Sequence, residues 1–323
     1  MTATTDIPPA VAAAPPRSAF GAAFDRGFEI LCFASATFLL TALGGIVVSL
    51  AIGGWPAFQA FGFAFFTSAE WDPVQEIYGS AGAVAGTLIS ASLALLFALP
   101  LSFGIAIFLV ELCPPVLRRP IGTAVELLAG IPSIVYGMWG LFVFAPWFAK
   151  HVQMPIMMSA KPGTLWEKIT TGVPNGAGIL SASIILAIMI LPFIAATMRE
   201  LLLTIPAQVR ESAYGLGSTT FEVIRKVSLP YIRTGAIGAV MLGLGRALGE
   251  TMAVTFIIGN AHGFPTSLFA SGSTIASTIA NEFAEATGVL HTSSLIALGL
   301  VLFIITFAVL AIARLLIGRQ ANL

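Results

Sequence analysis

Six apolar runs fix what this chain can become: about 28–52, 82–110, 121–147, 176–198, 234–260 and 292–317. Each reaches or exceeds the roughly 20 residues a helix needs to cross a hydrocarbon core. Lipid offers no partner to exposed backbone N–H and C=O groups, so a spanning segment is a helix or a strand of a closed barrel. Barrel strands alternate over about ten residues, whereas these runs are continuous. The expected fold is an all-α membrane protein with six transmembrane helices. Composition agrees: 57% of the residues are hydrophobic and 9% charged, against about 25% charged in a soluble domain. The formal net charge is zero, which leaves no basic footprint for nucleic acid.

Residues 1–25 are rich in Pro, Ala and Thr and carry no periodic apolar pattern. They read as a flexible cytoplasmic tail, and 26–320 as the membrane domain. The first run is too long for the roughly 7–15-residue core of a cleaved signal, so it is expected to stay as an anchor. Within the second run Pro100 is a candidate kink. Gly82, Gly86, Ser90 and Ala94 fall on one face of that run, a spacing that lets helices approach closely in lipid. Cys32 and Cys113 are too few for a disulfide framework or a metal site, and both read as inert packing.

Orientation follows from the basic residues between the runs. With the N-terminus inside, the inner segments carry Arg17, Arg26, Arg118, Arg119, Arg199, Arg210, Arg225, Lys226, Arg233, Arg314 and Arg319. The outer loops carry Lys150, Lys161 and Lys168. Both termini and the polar stretch 199–233 are therefore expected in the cytoplasm. The outer loop at 53–80 is aromatic (Trp55, Phe58, Phe61, Phe63, Phe65, Phe66, Trp71) and reads as an interfacial belt or a short helix in the headgroups, ahead of a ligand box.

The stretch 199–233 has an ordered pattern. Pro206 suits the first turn of a helix that carries Gln208, Arg210 and Glu211, and Gly215 and Gly217 can end it. Thr219-x-x-Glu222 has the form of a capping box. It opens a second helix on which Phe221, Ile224 and Val227 share a face, expected to end at Leu229-Pro230. The alternative is a solvated loop that only joins two spans.

Spacing makes this stretch specific. Glu211, Ser212, Ala213 and Gly217, then nine residues, then Val227-x-Leu229-Pro230 resemble the "EAA loop" of permease subunits of binding-protein-dependent ABC importers. Ser212 and Val227 depart from the commonest residues there by one small and one β-branched exchange. The resemblance implies an ABC importer permease (MetI-like) fold, in which these seven residues lie on cytoplasmic coupling helices that dock in a cleft of a partner ATPase. ATP and Mg would be bound by that partner. This chain has no Gly-x-x-x-x-Gly-Lys-Ser/Thr phosphate loop, and Gly272-Ser273-Thr274 lacks the preceding lysine.

The fifth run places Arg246 near its middle, where an arginine costs about 2.5–3.5 kcal/mol on insertion scales. Glu250 follows four residues later, on the same helix face and within ion-pair reach. The two readings are a self-neutralising ion pair that pins the helix, and an anion site in which the guanidinium fork grips an oxyanion. Glu250 would then hold Arg246 between visits or pair with protonated substrate. Gly243, Gly245 and Gly249 suit close packing or a substrate path. Thr251 and Thr255 could donate to an anion or bond back to their own helix.

Three stretches, Tyr78 to Leu95, Glu126 to Gly140 and Met241 to Asn260, are similar to the phosphate-transport permeases within that importer family. That resemblance covers about residues 70–317. It implies phosphate as the substrate, with Arg246, Glu250 and Thr251 on its path. It also implies a second, related permease subunit, a dimer of the ATPase and a periplasmic phosphate-binding protein as partners. Two other classes compete. A gradient-driven secondary transporter would use Glu250 as proton carrier, but intramembrane ionisable groups are few and no second half repeats the first. A membrane enzyme would need a base beside Ser133 or Ser183, and His151, His262 and His291 all fall in or beside outer loops.

Overall fold

A computed structural model describes residues 19–161 and 163–320. The chain divides into two units, one ending at Ser49 and the other beginning at Leu50. The first is the N-terminal part of helix α1 (Ala19–Phe61). That helix begins earlier than the sequence implied, within the segment read as tail; residues 1–18 lie outside the described residues. Cys32 is exposed on it, not packed as expected.

The second unit opens with the rest of α1, then the single turn α2 (Ala64–Thr67) and a two-strand hairpin, β1 (Trp71–Asp72) and β2 (Ile77–Tyr78). Helix α3 (Ala81–Ile107) runs through Pro100 and ends in a π-helical turn, Phe108–Leu112. Helix α4 (Pro115–Ala129) and helix α5 (Ser133–Trp139) meet at a break. From α5 the chain continues through π turns into α6 (Ala145–Phe148) and α7 (Met154–Ser159). A short α8 (Leu165–Thr170) precedes α9 (Ile179–Leu203). The polar stretch forms α10 (Ala207–Gly215) and α11 (Thr220–Val223), which passes through a π turn at Ile224–Ser228 into α12 (Leu229–Leu248). Then come α13 (Met252–Ile257), α14 (Ile275–Glu282) and α15 (Val289–Gln320).

Five helical stretches among the described residues are long and apolar enough to cross a membrane: Phe24–Phe61, Ala81–Leu112, Ile179–Leu203, Thr220–Leu248 and Val289–Leu315. The third expected span, 121–147, is instead the bent pair Pro115–Ala129 and Ser133–Ser159, at 88°. Pro132 explains the bend. Its ψ of 137° is extended, and a proline clashes with the carbonyl of a preceding turn while lacking an N–H to donate. Hydropathy alone averages over such a residue.

Helix α9 is the centre of the second unit. Ile185, Leu186, Ile190 and Ile194 are fully buried on it and pack with Ala91, Ala94 and Ala98 of α3. Lipid is as apolar as these side chains, so close approach and dispersion, more than water exclusion, hold such helices together. Small residues on α3 allow that approach. At its N-terminal end the same face serves a loop instead of a helix: a Cβ on Gly86 would fall 2.0 Å from the carbonyl oxygen of Ser273, and one on Gly82 2.5 Å from that of Gly263. Thr87 Oγ1 accepts from the Ile275 N–H at 3.0 Å, which anchors the start of α14.

The aromatic stretch 53–80 packs on itself. Phe65 is fully buried among Ala57, Tyr78, Leu295 and Leu298, with its ring 5.5 Å from that of Phe58. Beyond it lies a polar knot. Glu282 accepts from Trp71 Nε1–H at 2.8 Å, with His262 Nε2 at 3.1 Å and His291 Nε2 at 2.9 Å. Burial pushes the Glu282 carboxyl up, but the bonds from His262, Trp71 and His291 together hold it below the usual carboxylate range.

Candidate functional site: two broken helices around Arg246

The charged residue in the apolar interior sits where a helix stops. α12 ends at Leu248 and Gly249 caps it, so Glu250 and Thr251 lie outside any helix before α13 begins. The i, i+4 pairing expected for Arg246 and Glu250 requires a continuous helix, and here there is none. No carboxylate lies within 4.0 Å of the guanidinium among the described residues. Glu250 turns the other way: its Oε1 accepts the backbone N–H of Ala253 at 3.2 Å. It thereby satisfies one of the donors that every helix start leaves open. Thr251 Oγ1 bonds back to the Gly249 carbonyl at 3.4 Å, and Thr255 Oγ1 to that of Thr251 at 2.7 Å.

Arg246 is half-buried in the last turn of α12, where the helix dipole favours a cation. Its Cζ lies 5.8 Å from the centre of the Phe193 ring on α9, within cation–π range. Tyr136 lies within electrostatic reach of the same guanidinium. Gly243, one turn back, packs closely: a Cβ there would fall 2.6 Å from Ile194 Cδ1. Gly245 and Gly249 meet no such neighbour from another helix within 3.4 Å.

The second break faces the first. Gly130, Ile131 and Pro132 separate α4 from α5. The Tyr136 hydroxyl donates to the Leu128 carbonyl at 2.9 Å, which adds to the 3.3 Å bond from the Ile131 N–H and braces the break. Helix α5 then lies against α13. A Cβ on Gly137 would fall 3.0 Å from Ala253 Cα and 2.9 Å from the Phe256 ring. Two interrupted helices thus pack on each other beside one guanidinium that has no carboxylate. Interrupted helices of this kind form substrate sites in transporters, because freed backbone groups and helix ends line the path. The Pro132 break was missed at the sequence level, although Pro132 itself was the available signal.

The polar stretch keeps part of its expected form. Helix α10 ends at Gly215, and Gly217 has φ +85°, a backbone that L side chains rarely adopt. Thr219 and Glu222 form a reciprocal capping box. The expected stop at Leu229-Pro230 is absent, and α11 runs through its π turn into α12. The wider turn and the position of Pro230 at the start of α12 accommodate the missing N–H. Glu211, Ser212 and Gly217 are exposed; Ala213, Val227 and Leu229 are half-buried; Pro230 is exposed. Phe221 and Leu216 stand largely in solvent.

Helices broken around a charge, with an ordered polar segment between spans, define a transport permease, and the sequence agrees. Residues 98–322 match the family described as "Binding-protein-dependent transport system inner membrane component", and the chain belongs to that family. It is 56% identical over 297 residues to the phosphate transport system permease protein PstC of Mesorhizobium japonicum, covering 91% of this chain and 90% of that one. It is 55% identical over 284 residues to the protein of the same name from Pasteurella multocida, covering 88% of each. A crystal structure of a bacterial alginate ABC transporter with its oligosaccharide-bound periplasmic protein has a chain of the same fold. There the TM-score is 0.58 at 17% identity, over 90% of this chain and 94% of that one. Membership of a binding-protein-dependent family overturns the gradient-driven alternative.

Proposed function

We propose that this chain is the non-catalytic membrane permease subunit of an ATP-driven phosphate importer, forming half of the translocation pathway. The observation that carries the reading is the identity, over nine-tenths of the chain, to proteins named as phosphate transport permeases. The remaining subunits would be a second permease (PstA-like), an ATPase dimer (PstB-like) that binds ATP and Mg, and a periplasmic phosphate-binding protein (PstS-like). The chain would sit in the inner membrane with both termini in the cytoplasm.

The site residues fit an oxyanion carrier. Arg246 offers a planar fork of N–H donors in a setting without a competing carboxylate. Glu250, turned to the α13 backbone, leaves that fork open, and Thr251 adds a hydroxyl at the break. Glu211, Ser212, Ala213, Gly217, Val227, Leu229 and Pro230 would couple the chain to the ATPase, with exposed Phe221 and Leu216 as apolar anchors. When the ATPase dimer closes on its nucleotide, the coupling segments are drawn together and the pathway tips toward the binding protein. After hydrolysis it opens inward and Arg246 releases phosphate.

The test is uptake of labelled phosphate by cells lacking this chain, with and without the chain restored. Restoration of high-affinity, ATP-dependent uptake is expected. Restored uptake of sulfate or molybdate in place of phosphate would overturn the substrate.

A further inference from the structure

Helix α10 carries Glu211, Ser212 and Ala213 yet contributes no buried residue. No fully buried apolar side chain of its own therefore fixes it to the membrane helices. One side chain does: Arg210 Nη1 lies 3.1 Å from Glu111 Oε1, with Glu111 only 7% exposed and Arg210 20%. The same guanidinium donates to the Ile205 carbonyl at 3.3 Å, which braces the turn leading into α10. Arg210 and Glu211 are neighbours on a helix and point about 100° apart. As Arg210 reaches inward, Glu211 is left exposed to solvent.

Glu111 sits in the π turn that ends α3. Such turns are local departures from the helix and recur at functional sites. The neighbouring carbonyls of Val110 and Cys113 accept from Arg118 at 2.9 and 3.5 Å, which holds the end of α3 in place. From that end α3 packs along α9 through Ala98, Ala94 and Ala91 to the loop at Gly263 and Ser273. By chain connection alone, α10 pulls on α9. The ion pair adds a second route, from α10 to α3.

We propose that the Arg210–Glu111 ion pair is the tie through which motion of the coupling segment reaches the second span, making Arg210 and Glu111 positioning residues for transport. This rests on the reading of 199–233 as the ATPase-coupling segment. A buried ion pair is suited to the task because both partners are strongly held only while they stay together. A tie of this kind transmits displacement in either direction.

The experiment uses the complete importer in proteoliposomes, with labelled phosphate uptake and ATP hydrolysis measured together. Arg210→Gln and Glu111→Gln are expected to leave assembly and hydrolysis in place while phosphate moved per ATP falls by roughly 2- to 30-fold. The exchanged pair Glu111→Arg with Arg210→Glu is expected to recover much of that ratio. A wild-type ratio in both single variants overturns the proposal, as does a parallel fall in uptake and hydrolysis that the exchange leaves uncorrected. A second readout needs no phosphate. Spin labels at Gln208→Cys and Leu101→Cys, with Cys32 and Cys113 replaced by alanine, report the distance from α10 to α3 with and without nucleotide. That distance is expected to stay fixed with the tie intact and to vary in Arg210→Gln. Equal behaviour in both overturns the tie even if the wild-type complex carries another anion. Absence of phosphate uptake by the wild type would instead count against the proposed substrate.

Discussion

The hydroxyl of Tyr136 bonds the carbonyl oxygen of Leu128 across the bend between α4 and α5, at 2.9 Å. A proline opened that helix, and a tyrosine one turn later closes the resulting gap. The same ring lies within electrostatic reach of Arg246, so the brace and the charge share one site. Tyr136→Phe removes that bond and leaves the Leu128 carbonyl with only the long bond from the Ile131 N–H at 3.3 Å, a cost of about 0.5–1.5 kcal/mol. The purified protein is expected to melt several degrees lower, with phosphate uptake reduced. An unchanged melting temperature would show that the Ile131 N–H alone serves the carbonyl and that the hydroxyl brace is dispensable.

Gly137 is expected to tolerate no side chain. A Cβ there meets Ala253 Cα at 3.0 Å and Phe256 at 2.9 Å, and neither backbone nor packed ring yields cheaply. Overpacking of this kind costs about 1–3 kcal/mol. Gly137→Val is expected to separate α5 from α13 and to abolish uptake while the protein still inserts. Uptake at the wild-type rate would mean that the contact between the two broken helices is dispensable.

Arg246 and Glu250 are expected to act independently. Arg246→Ala should abolish phosphate uptake without loss of assembly, and Arg246→Lys should restore only part of it, since an ammonium lacks the fork. Because Glu250 bonds the Ala253 N–H instead, a double-mutant cycle between the two should give a coupling below about 0.5 kcal/mol in stability. A coupling of ion-pair size in thermal melts would place the carboxylate on the guanidinium after all.

The Glu282 knot predicts an acid transition. Burial raises its carboxyl, and the bonds from His262, Trp71 and His291 more than offset that, so the folded-state pKa lies below the ordinary value. The stabilisation from a depressed carboxyl is present above the unfolded pKa and is lost as pH falls through the folded one. Trp71 fluorescence should therefore hold steady through neutral and mildly acidic pH and change only below the usual glutamate range. His262→Gln or His291→Gln should move that change to higher pH. A transition insensitive to both substitutions would detach the histidines from it.

Residues close in sequence were readable. The capping box at Thr219 and Glu222 and the turn at Gly217 appear where their local chemistry put them, because each is satisfied within a few residues. Long apolar runs marked the membrane helices for the same reason. Breaks were harder. Pro132 and Gly249 lie inside runs whose average hydropathy hides them, so the third span was expected straight and Glu250 was expected one turn from Arg246. Pro230 misled in the opposite sense, since a π turn ahead of it carries the helix on. Pairings across the fold, such as Trp71 with Glu282 or Arg210 with Glu111, join residues far apart in the chain, and no local pattern announces them.

The helical stretch from Thr220 to Leu248 runs 29 residues with one π turn at Ile224–Ser228, on the order of 43 Å at about 1.5 Å per residue. It starts at the capping box and finishes two residues past Arg246. Such a rod behaves as an axle: rotation applied at one end arrives at the other, and residue count together with the π turn sets the phase between the ends. Lengthening it by a single alanine would swing the guanidinium about 100° away from Phe193, desynchronising the two ends without altering any residue at either.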